Sequence, residues 1–150
     1  MLTLVRSKSE HPDFIALVKQ LDAYLKIMDG DEHDFYNQFN HIDILKHTVI
    51  AYLNDKPVGC GAFKKFDNNS AEIKRMFTHP ETRNKGVASA ILKELEDWAK
   101  QNNFKSTILE TGLRQVEAVN FYKKNNYKII PNFGQYAGIE NSVCFLKELR

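Results

Sequence analysis

The sequence is poor in the residues that build disulfide frameworks, metal centres and fibrous repeats. Of its 150 residues, two are cysteine, seven are glycine and four are proline. Because Cys60 and Cys144 stand far apart in apolar stretches and form no CxxC pair, we expect two buried free thiols rather than a disulfide or a metal site. The five histidines have no HxxxH or HExxH spacing, which argues against a zinc centre.

Long hydrophobic runs and a strong charge of one sign are also missing. No apolar stretch approaches the ~20 residues that span a bilayer, and the segment from Met1 to Arg6 is too short and polar for a secretory signal. The formal net charge of +2 is too small to favour a nucleic-acid-binding protein. We therefore expect a cytoplasmic protein that binds neither membrane nor nucleic acid, folded as one domain over residues 1–150.

Two hydrophobic periodicities divide the chain. Alternating and β-branched stretches predict strands over 2–6, 48–53, 58–66, 71–78, 106–110, 127–130 and 142–146. Helical spacing predicts helices over 12–29, 85–101 and 115–125, and a shorter one over 32–40. This order of an antiparallel meander, a helix, a strand, a helix and two strands predicts an α/β fold with a mixed sheet.

The strand over 71–78 reads as regular alternation. It would place Ile73, Arg75 and Phe77 on one face of the sheet and Glu72, Lys74 and Met76 on the other.

Charge is concentrated in two parts of the chain. Between Ile27 and Leu45 there are acidic residues and no lysine or arginine, whereas basic residues gather between Lys64 and Lys85. One region could meet a cation and the other an anion, or both could be solvated faces.

A basic segment, Arg83 to Ala88, follows a predicted strand and begins a predicted helix. The first turn of a helix has N–H groups without internal partners, and with the helix dipole these groups bind phosphate. Gly86 lets the backbone approach an anion, and Arg83 and Lys85 add positive charge. The pattern is neither a P-loop nor a dinucleotide fingerprint, and by itself it also fits a basic surface turn.

Two segments of the sequence resemble motifs of the GNAT superfamily of N-acetyltransferases. Residues 83–88, RNKGVA, resemble its acetyl-CoA-binding motif [RQ]xxGx[GA], and residues 118–127, AVNFYKKNNY, resemble its AxxFYxKxGF helix. The tail resembles a bacterial subgroup of small acetyltransferases, and the likeness covers roughly residues 48–148. It implies the GNAT fold, with a twisted, mostly antiparallel mixed sheet of about seven strands and about four helices.

The resemblance also implies an activity. A GNAT protein would move the acetyl group of acetyl-CoA, without a metal, to an amine of a small molecule or peptide, by direct attack in a ternary complex. Relatives are often homodimers. Two other functions remain open, namely a non-catalytic sensor that binds acyl-CoA and a binder of nucleotide phosphates.

The resemblance assigns cofactor contacts to residues on two helices and a strand. Backbone groups of the strand end would hold pantetheine, and the Met76 N–H would polarise the thioester oxygen. Gln115 stands where many relatives carry asparagine, and Asn120 lies one helix turn from the loop. The predicted cofactor-binding residues are Met76, Phe77, Thr78, Arg83, Asn84, Lys85, Gly86, Val87, Ala88, Ser89, Gln115, Asn120 and Tyr122.

Three residues are candidates for proton transfer. Tyr122 matches the tyrosine that protonates the CoA thiolate in many relatives, although it could simply be packed on the sheet. Glu72 or Glu110 could deprotonate the attacking amine, although Glu72 could equally be an exposed strand residue.

The acceptor site is expected between the early helices and the last two strands. Carboxylates could steer a cation there and aromatic rings could wall it, although helix-end solvation and core packing explain the same residues. They are Asp29, Asp31, Glu32, Asp34, Tyr36, Phe39, Phe133 and Tyr136.

Overall fold

The computed structural model describes residues 1–29, 45–83 and 85–150. Its strands are β1 (Leu2–Ser7), β2 (His47–Leu53), β3 (Lys56–Lys65), β4 (Ser70–Thr78), β5 (Ser106–Gly112), β6 (Lys128–Ile130) and β7 (Ser142–Glu148). Its α-helices are α1 (Pro12–Asp29), α2 (Val87–Gln101) and α3 (Val116–Lys124). The seven predicted strands and three of the predicted helices are confirmed within a few residues, and the helix predicted over 32–40 lies outside the described residues.

The strands form one mixed sheet in the order β1-β2-β3-β4-β5-β7-β6. Strands β1 to β4 make an antiparallel meander. Its β2–β3 turn is tight because Asn54 and Asp55 both take positive φ, of 52° and 68°, which the favoured two-residue hairpin turns require. The β3–β4 turn is held by Asp67, whose Oδ1 accepts the N–H groups of Asn69 at 2.8 Å and Ser70 at 2.7 Å.

Helices cover both faces of this sheet. The apolar stripe of α2, which includes Ile91 and Leu95, packs together with residues of α3 against one face of the sheet. Phe14 and Leu17 of α1 pack on the other face. Each fully buried Leu or Ile side chain contributes about 1.5–3 kcal/mol to the stability of the folded state. The cores on the two faces therefore hold α1 and α2 in fixed positions on the sheet. No helix in the described ranges is long and apolar enough to cross a bilayer.

The sheet opens between β4 and β5. These two strands run parallel, and their register extends only from Ser70 opposite Ser106 to Glu72 opposite Ile108. Beyond those pairs β4 continues to Thr78 and β5 to Gly112, while β5 stays paired along its length with β7. The far halves of β4 and β5 therefore form the walls of a cleft inside the sheet.

An irregularity in β4 lies beside this opening. Arg75 has a φ of 60°, and the β3–β4 register shifts between Cys60 and Ala62. The Cys60 thiol donates to the Arg75 carbonyl oxygen at 3.4 Å. A β-bulge of this kind inserts one extra residue and changes which face the following side chains occupy.

The bulge makes the predicted alternation of β4 wrong after residue 74. Ile73 and Met76 pack on the α2 side. Phe77 packs on the α1 side, and the Arg75 Nη1 lies there too, 3.4 Å from Asp22 of α1. Regular period-2 spacing had put Met76 on the opposite face from Ile73, and the extra residue reverses that placement.

Close packing of α2 on β3 depends on a glycine in the strand. A Cβ at Gly61 would lie 2.5 Å from Met76 Sδ and 2.8 Å from Leu95 Cδ1, closer than side chains approach. Because Gly61 has no side chain, there is room beside it for the side chain of Met76, which the bulge turns toward α2.

A buried polar chain ties α2 to the sheet. Lys147 donates to Glu96 Oε1 at 2.9 Å, and the Tyr127 hydroxyl donates to Glu96 Oε2 at 2.9 Å. Thr107 Oγ1 lies 2.7 Å from the hydroxyl oxygen of Tyr127. Because the Tyr127 hydroxyl proton is donated to Glu96, Thr107 is the donor in this second hydrogen bond. Since burying polar groups is tolerated only when their hydrogen bonds are made, this chain fixes the position of α2 relative to β5 and β7.

Both cysteines are buried free thiols, as predicted. Burial raises the pKa of Cys60 from its ordinary 9.0 to about 12, partly offset by the charge of Arg75. Because the folded state binds the thiol proton more tightly than the unfolded chain does, this group lowers stability as pH rises from about 9 towards 12.

We expect Cys60→Ala to flatten the alkaline loss of stability. In the wild type, Cys60 should remove about 1.4 kcal/mol of unfolding free energy per pH unit between about pH 9 and pH 11. The cavity left by alanine costs the same at every pH, so the slope isolates the thiol. Urea unfolding of both proteins across that range measures it, and identical slopes would contradict a raised pKa at Cys60.

Candidate active site

The N-terminus of α2 forms one wall of the cleft between β4 and β5. Its N-cap, Gly86, has a φ of 78°, and a Cβ built there would meet nothing within 4 Å. The Ala90 N–H donates to the Gly86 oxygen at 3.0 Å and makes the first helical bond. The N–H groups of Val87, Ala88 and Ser89 precede that bond, so they are available to a ligand in front of the helix.

A cavity of about 580 Å³ lies in front of this helix terminus, and we call it the loop cavity. Its volume is in the usual range for ligand pockets. The end of β4, the loop before α2, the first turn of α2, and parts of α1 and α3 line it. Of the predicted cofactor residues it brings together Met76, Phe77, Thr78, Arg83, Gly86, Val87, Ala88, Ser89, Gln115 and Tyr122.

Three of the predicted cofactor residues are not among the described residues that line the loop cavity. Lys85 and Asn120 are exposed and do not line the cavity. Asn84 lies outside the described residues.

Several lining residues of the loop cavity were not predicted from the sequence. Tyr24 of α1 lies beneath Arg83, whose guanidinium carbon is 5.5 Å from the ring centroid. Arg83 Nη1 lies 3.5 Å from Glu117 Oε2 on α3. Helical spacing could have identified Glu117, which is four residues before Phe121, and Lys124, which is three after it, because all three share a helix face and line the cavity.

A second, smaller cavity of about 130 Å³ lies deeper in the cleft, and we call it the inner cavity. Its lining includes Leu21, Leu25, Glu72, Lys74, Arg75, Glu110, Thr111, Gly112 and Tyr136. Five residues line both cavities, namely Leu21, Met76, Gln115, Ala118 and Tyr122. The two cavities therefore share a wall, and among the five described residues that form it Tyr122 is the one with an ionisable side chain.

The two candidate carboxylates both line the inner cavity. Glu72 is 4% exposed, so the alternative of an exposed strand residue is wrong. Its Oε2 lies 3.9 Å from the Lys74 Nζ, and Lys74 is buried as well. Glu110 lies on β5 beyond the last residue paired with β4, where the strands have separated.

Tyr122 is buried among aromatic rings. Its ring centroid lies 5.7 Å from that of Tyr127 and 5.9 Å from that of Phe145. Burial, and then the negative charge of Glu110, raises the pKa of its phenol above the ordinary 10.0. The hydroxyl therefore stays protonated at neutral pH and can act as a proton donor.

Tyr136 is a second buried phenol, at the inner cavity. It is 2% exposed, and burial followed by the charges of Glu110 and Glu72 raises its pKa. Both carboxylates are thus close to this hydroxyl. Its ring packs edge-on against Phe133 at 5.8 Å, whereas Phe133 itself lines neither cavity.

The remaining predicted acceptor residues cannot be placed. The side chain of Asp29 and all of Asp31, Glu32, Asp34, Tyr36 and Phe39 lie outside the described residues.

The arrangement suits group transfer between two bound molecules. The loop cavity offers helix N–H groups and Arg83 to an anion. The inner cavity offers carboxylates to a protonated amine, which becomes a nucleophile once it loses a proton. A protonated phenol lies in the wall between them.

Comparison with known proteins identifies the family and the fold. The acetyltransferase (GNAT) family profile matches residues 15–127. An IAA acetyltransferase from Azospirillum brasilense is 27% identical over 143 residues, which is 90% of each chain.

Solved structures give the same fold. A Klebsiella pneumoniae protein provisionally named an acyl-CoA N-acyltransferase superposes with a TM-score of 0.83 at 26% identity, covering 100% of this chain and 99% of that one. A Bacillus anthracis protein provisionally named a streptothricin acetyltransferase, solved with acetyl coenzyme A, superposes with a TM-score of 0.59 at 26% identity, covering 75% of this chain and 66% of that one. The α/β fold predicted from the sequence is confirmed.

We expect Glu117→Gln to strengthen binding of coenzyme A about twofold at low salt, because the neutral amide no longer competes for Arg83 or repels the phosphates. The pair is exposed, so the gain should vanish at about 0.5 M salt. Calorimetric titration with coenzyme A measures both values.

The matched control for this experiment is Asp97→Asn. Asp97 is also in an exposed ion pair, 2.7 Å from Lys93 on α2, but it lines neither cavity. An equal change in both variants, or weaker binding by Glu117→Gln, would contradict the electrostatic role of Glu117.

Proposed function

The chain belongs to the GNAT family of acetyl-CoA-dependent acetyltransferases, and we propose that it acetylates the amine of a small molecule or peptide by direct attack in a ternary complex. The observation that carries this proposal is the wall shared by the two cavities. Donor and acceptor can be bound together with Tyr122 between them.

The donor is proposed to occupy the loop cavity. Its pyrophosphate would lie against the N–H groups of Val87, Ala88 and Ser89, with Arg83 beside it. The open space at Gly86 supports this placement, because nothing lies within 4 Å of a Cβ position there.

The pantetheine arm is proposed to lie along the separated half of β4. Met76, Phe77 and Thr78 line the loop cavity there, beyond the last β4 residue paired with β5. Amide groups of an extended ligand can pair with such a strand edge, as in β-strand addition. The Met76 N–H, just after the bulge, is our candidate for polarising the thioester carbonyl.

Glu110 is the carboxylate that we favour as the base for the acceptor amine. It lies on β5 where the cleft is open, and its charge acts on both Tyr122 and Tyr136. Glu72 is the alternative, since it lines the same cavity, but it is in an ion pair with Lys74.

Tyr122 is proposed to donate a proton to the leaving thiolate. Its raised pKa keeps it protonated, and the fact that Tyr122 lines both cavities supports this role. A sensor that only binds acyl-CoA has no need of an inner cavity lined by the buried carboxylate of Glu72 and the half-buried residue Glu110, because burying a carboxylate costs free energy.

We expect Gly86→Glu to abolish coenzyme A binding, because the carboxylate would stand at the mouth of the anion site and repel the phosphates. Gly138→Glu is the control, since Gly138 has the same φ of 78° and the same open surroundings away from the cavities. Both variants bear the same backbone strain. Calorimetric titration would disprove the proposed pyrophosphate site if Gly86→Glu bound as well as its control.

We expect Tyr122→Phe to lower kcat at least about tenfold while leaving the Kd for coenzyme A nearly unchanged, since general acid catalysis contributes about 10²–10⁴-fold in typical enzymes. Tyr52→Phe is the control, because its hydroxyl donates to Asp13 at 2.6 Å and lines neither cavity. Thiol release from acetyl-CoA measures kcat. Equal rates in the wild type and Tyr122→Phe would remove Tyr122 from the acid role.

A further inference from the structure

Arg83 is held between two helices beside the loop cavity. Its Nη1 lies 3.5 Å from Glu117 Oε2 on α3, and its guanidinium carbon lies over the Tyr24 ring of α1, 5.5 Å from the ring centroid. All three residues line the loop cavity. Tyr24 is the one of the three that has no role in the proposed function.

The two contacts of Arg83 respond differently to a bound phosphate. A carboxylate accepts hydrogen bonds from the N–H groups of a guanidinium, and a phosphate binds the same groups. Glu117 and a phosphate therefore compete for Arg83. An aromatic ring attracts a cation over its face, so the contact with Tyr24 can remain while the N–H groups of Arg83 bind a phosphate.

The exposure of the three side chains shows which contact holds Arg83 more firmly. The side chains of Arg83 and Glu117 are 36% and 83% exposed, so water and salt weaken their ion pair. Tyr24 is half-buried. Ordering a long side chain on binding costs conformational entropy, and a contact that restricts Arg83 before the ligand arrives lowers that cost.

The Tyr24 ring belongs to a helix whose position is fixed by the core. Leu17 and Leu21 of α1 are buried in the core on that face of the sheet. Tyr24 follows Leu21 by three residues, so their side chains are neighbours on one face of α1. Leu21 lines the loop cavity as well. The ring therefore has a defined position beside the cavity.

Resting on the proposed function, we propose that Tyr24 is a positioning residue for the donor, and that its ring holds the guanidinium of Arg83 at the pyrophosphate site. The phosphate displaces Glu117 from Arg83 when coenzyme A binds, and the contact with Tyr24 remains. Arg83 contacts the ligand, and Tyr24 acts through Arg83. Donor binding is thereby linked to α1, whose Leu21 and Leu25 line the inner cavity.

The first test is a pair of variants at Tyr24, titrated with coenzyme A by calorimetry at low salt. We expect Tyr24→Leu to raise Kd about two- to fivefold, which corresponds to a cation–π contact at an exposed site. Tyr24→Phe keeps the aromatic ring and should bind as the wild type does. Wild-type affinity in Tyr24→Leu, or an equal loss in both variants, overturns the inference.

A double-mutant cycle with Arg83→Met separates positioning of Arg83 from a change in α1 itself. If Tyr24 acts through Arg83, Tyr24→Leu has no further effect on Kd once Arg83 is replaced. A merely structural role weakens binding by the same factor in both backgrounds. That outcome overturns the inference and leaves the coenzyme A site standing.

Arg83→Met by itself tests the proposed function on which the inference rests. We expect it to weaken coenzyme A binding more than Tyr24→Leu does. Arg6→Met is the control for the lost charge, since Arg6 lies over Trp98 at 4.8 Å and lines neither cavity. Wild-type affinity in Arg83→Met overturns both the role of Tyr24 and the proposed contact of Arg83 with the pyrophosphate.

Dephospho-coenzyme A, which keeps the pyrophosphate and lacks the phosphate on the ribose, identifies the group that Arg83 contacts. We expect Tyr24→Leu to lose the same factor in affinity for this ligand as for coenzyme A. A loss that is confined to coenzyme A assigns Arg83 to the ribose phosphate and overturns the inference.

Discussion

The structure depends on the point at which β4 and β5 stop pairing. Up to Glu72 and Ile108 the two strands share a register, and beyond it they form opposite walls of a cleft. Both cavities lie along this opening, since β4 residues line each of them. Backbone groups that would be paired in a closed sheet thus become available to a ligand, because a backbone donor or acceptor in a cleft needs a partner.

The bulge at Arg75 directs side chains to the two sides of this opening. The positive φ of Arg75 costs backbone free energy of order 1 kcal/mol. The β3 strand and α1 hold it in place, through the Cys60 thiol and the carboxylate of Asp22. In return Met76 packs under α2 beside the loop cavity, while Arg75 and Phe77 lie on the α1 side. The core that holds the bulge therefore also positions the candidate active site.

Burial of charged and phenolic groups is the second constraint. Glu72, Lys74, Tyr122 and Tyr136 are all largely removed from solvent, although apolar residues of the same size would stabilise a sheet better. The apolar cores on both faces, and the polar chain through Glu96 and Tyr127, offset this cost. Such a concentration of buried titratable groups beside a cleft is typical of a functional site.

Much of the fold could be predicted from the sequence, because period-2 and helical patterns are local. The strand over 71–78 and the helix over 85–101 depend on neighbouring residues only. The positions of Lys85 and Asn120 were less predictable. A motif tells which segment meets a ligand, but whether a side chain points into the cavity depends on helix orientation, which packing of α2 and α3 decides.

Regular alternation also failed at Met76, because nothing local in Lys74, Arg75 and Met76 signals a positive φ. That conformation is imposed by pairing with β3 across the shift between Cys60 and Ala62. Glu72 was equally ambiguous, since a glutamate in a strand is exposed or buried according to what packs on that face, and here it is buried at the inner cavity.

By itself the sequence determined the order of strands and helices and the basic segment from Arg83 to Ala88 that leads into α2, and it named the candidates for proton transfer. These follow from hydrophobic spacing and side-chain chemistry, which need no long-range contact. Only the tertiary structure decided that Tyr122 stands in a wall between two cavities, that Glu72 is buried beside Lys74, and that Tyr136 reaches the same cavity from a distant part of the chain. The physical reason is that these relations arise where β4 and β5 separate, and that separation depends on contacts between strands far apart in sequence.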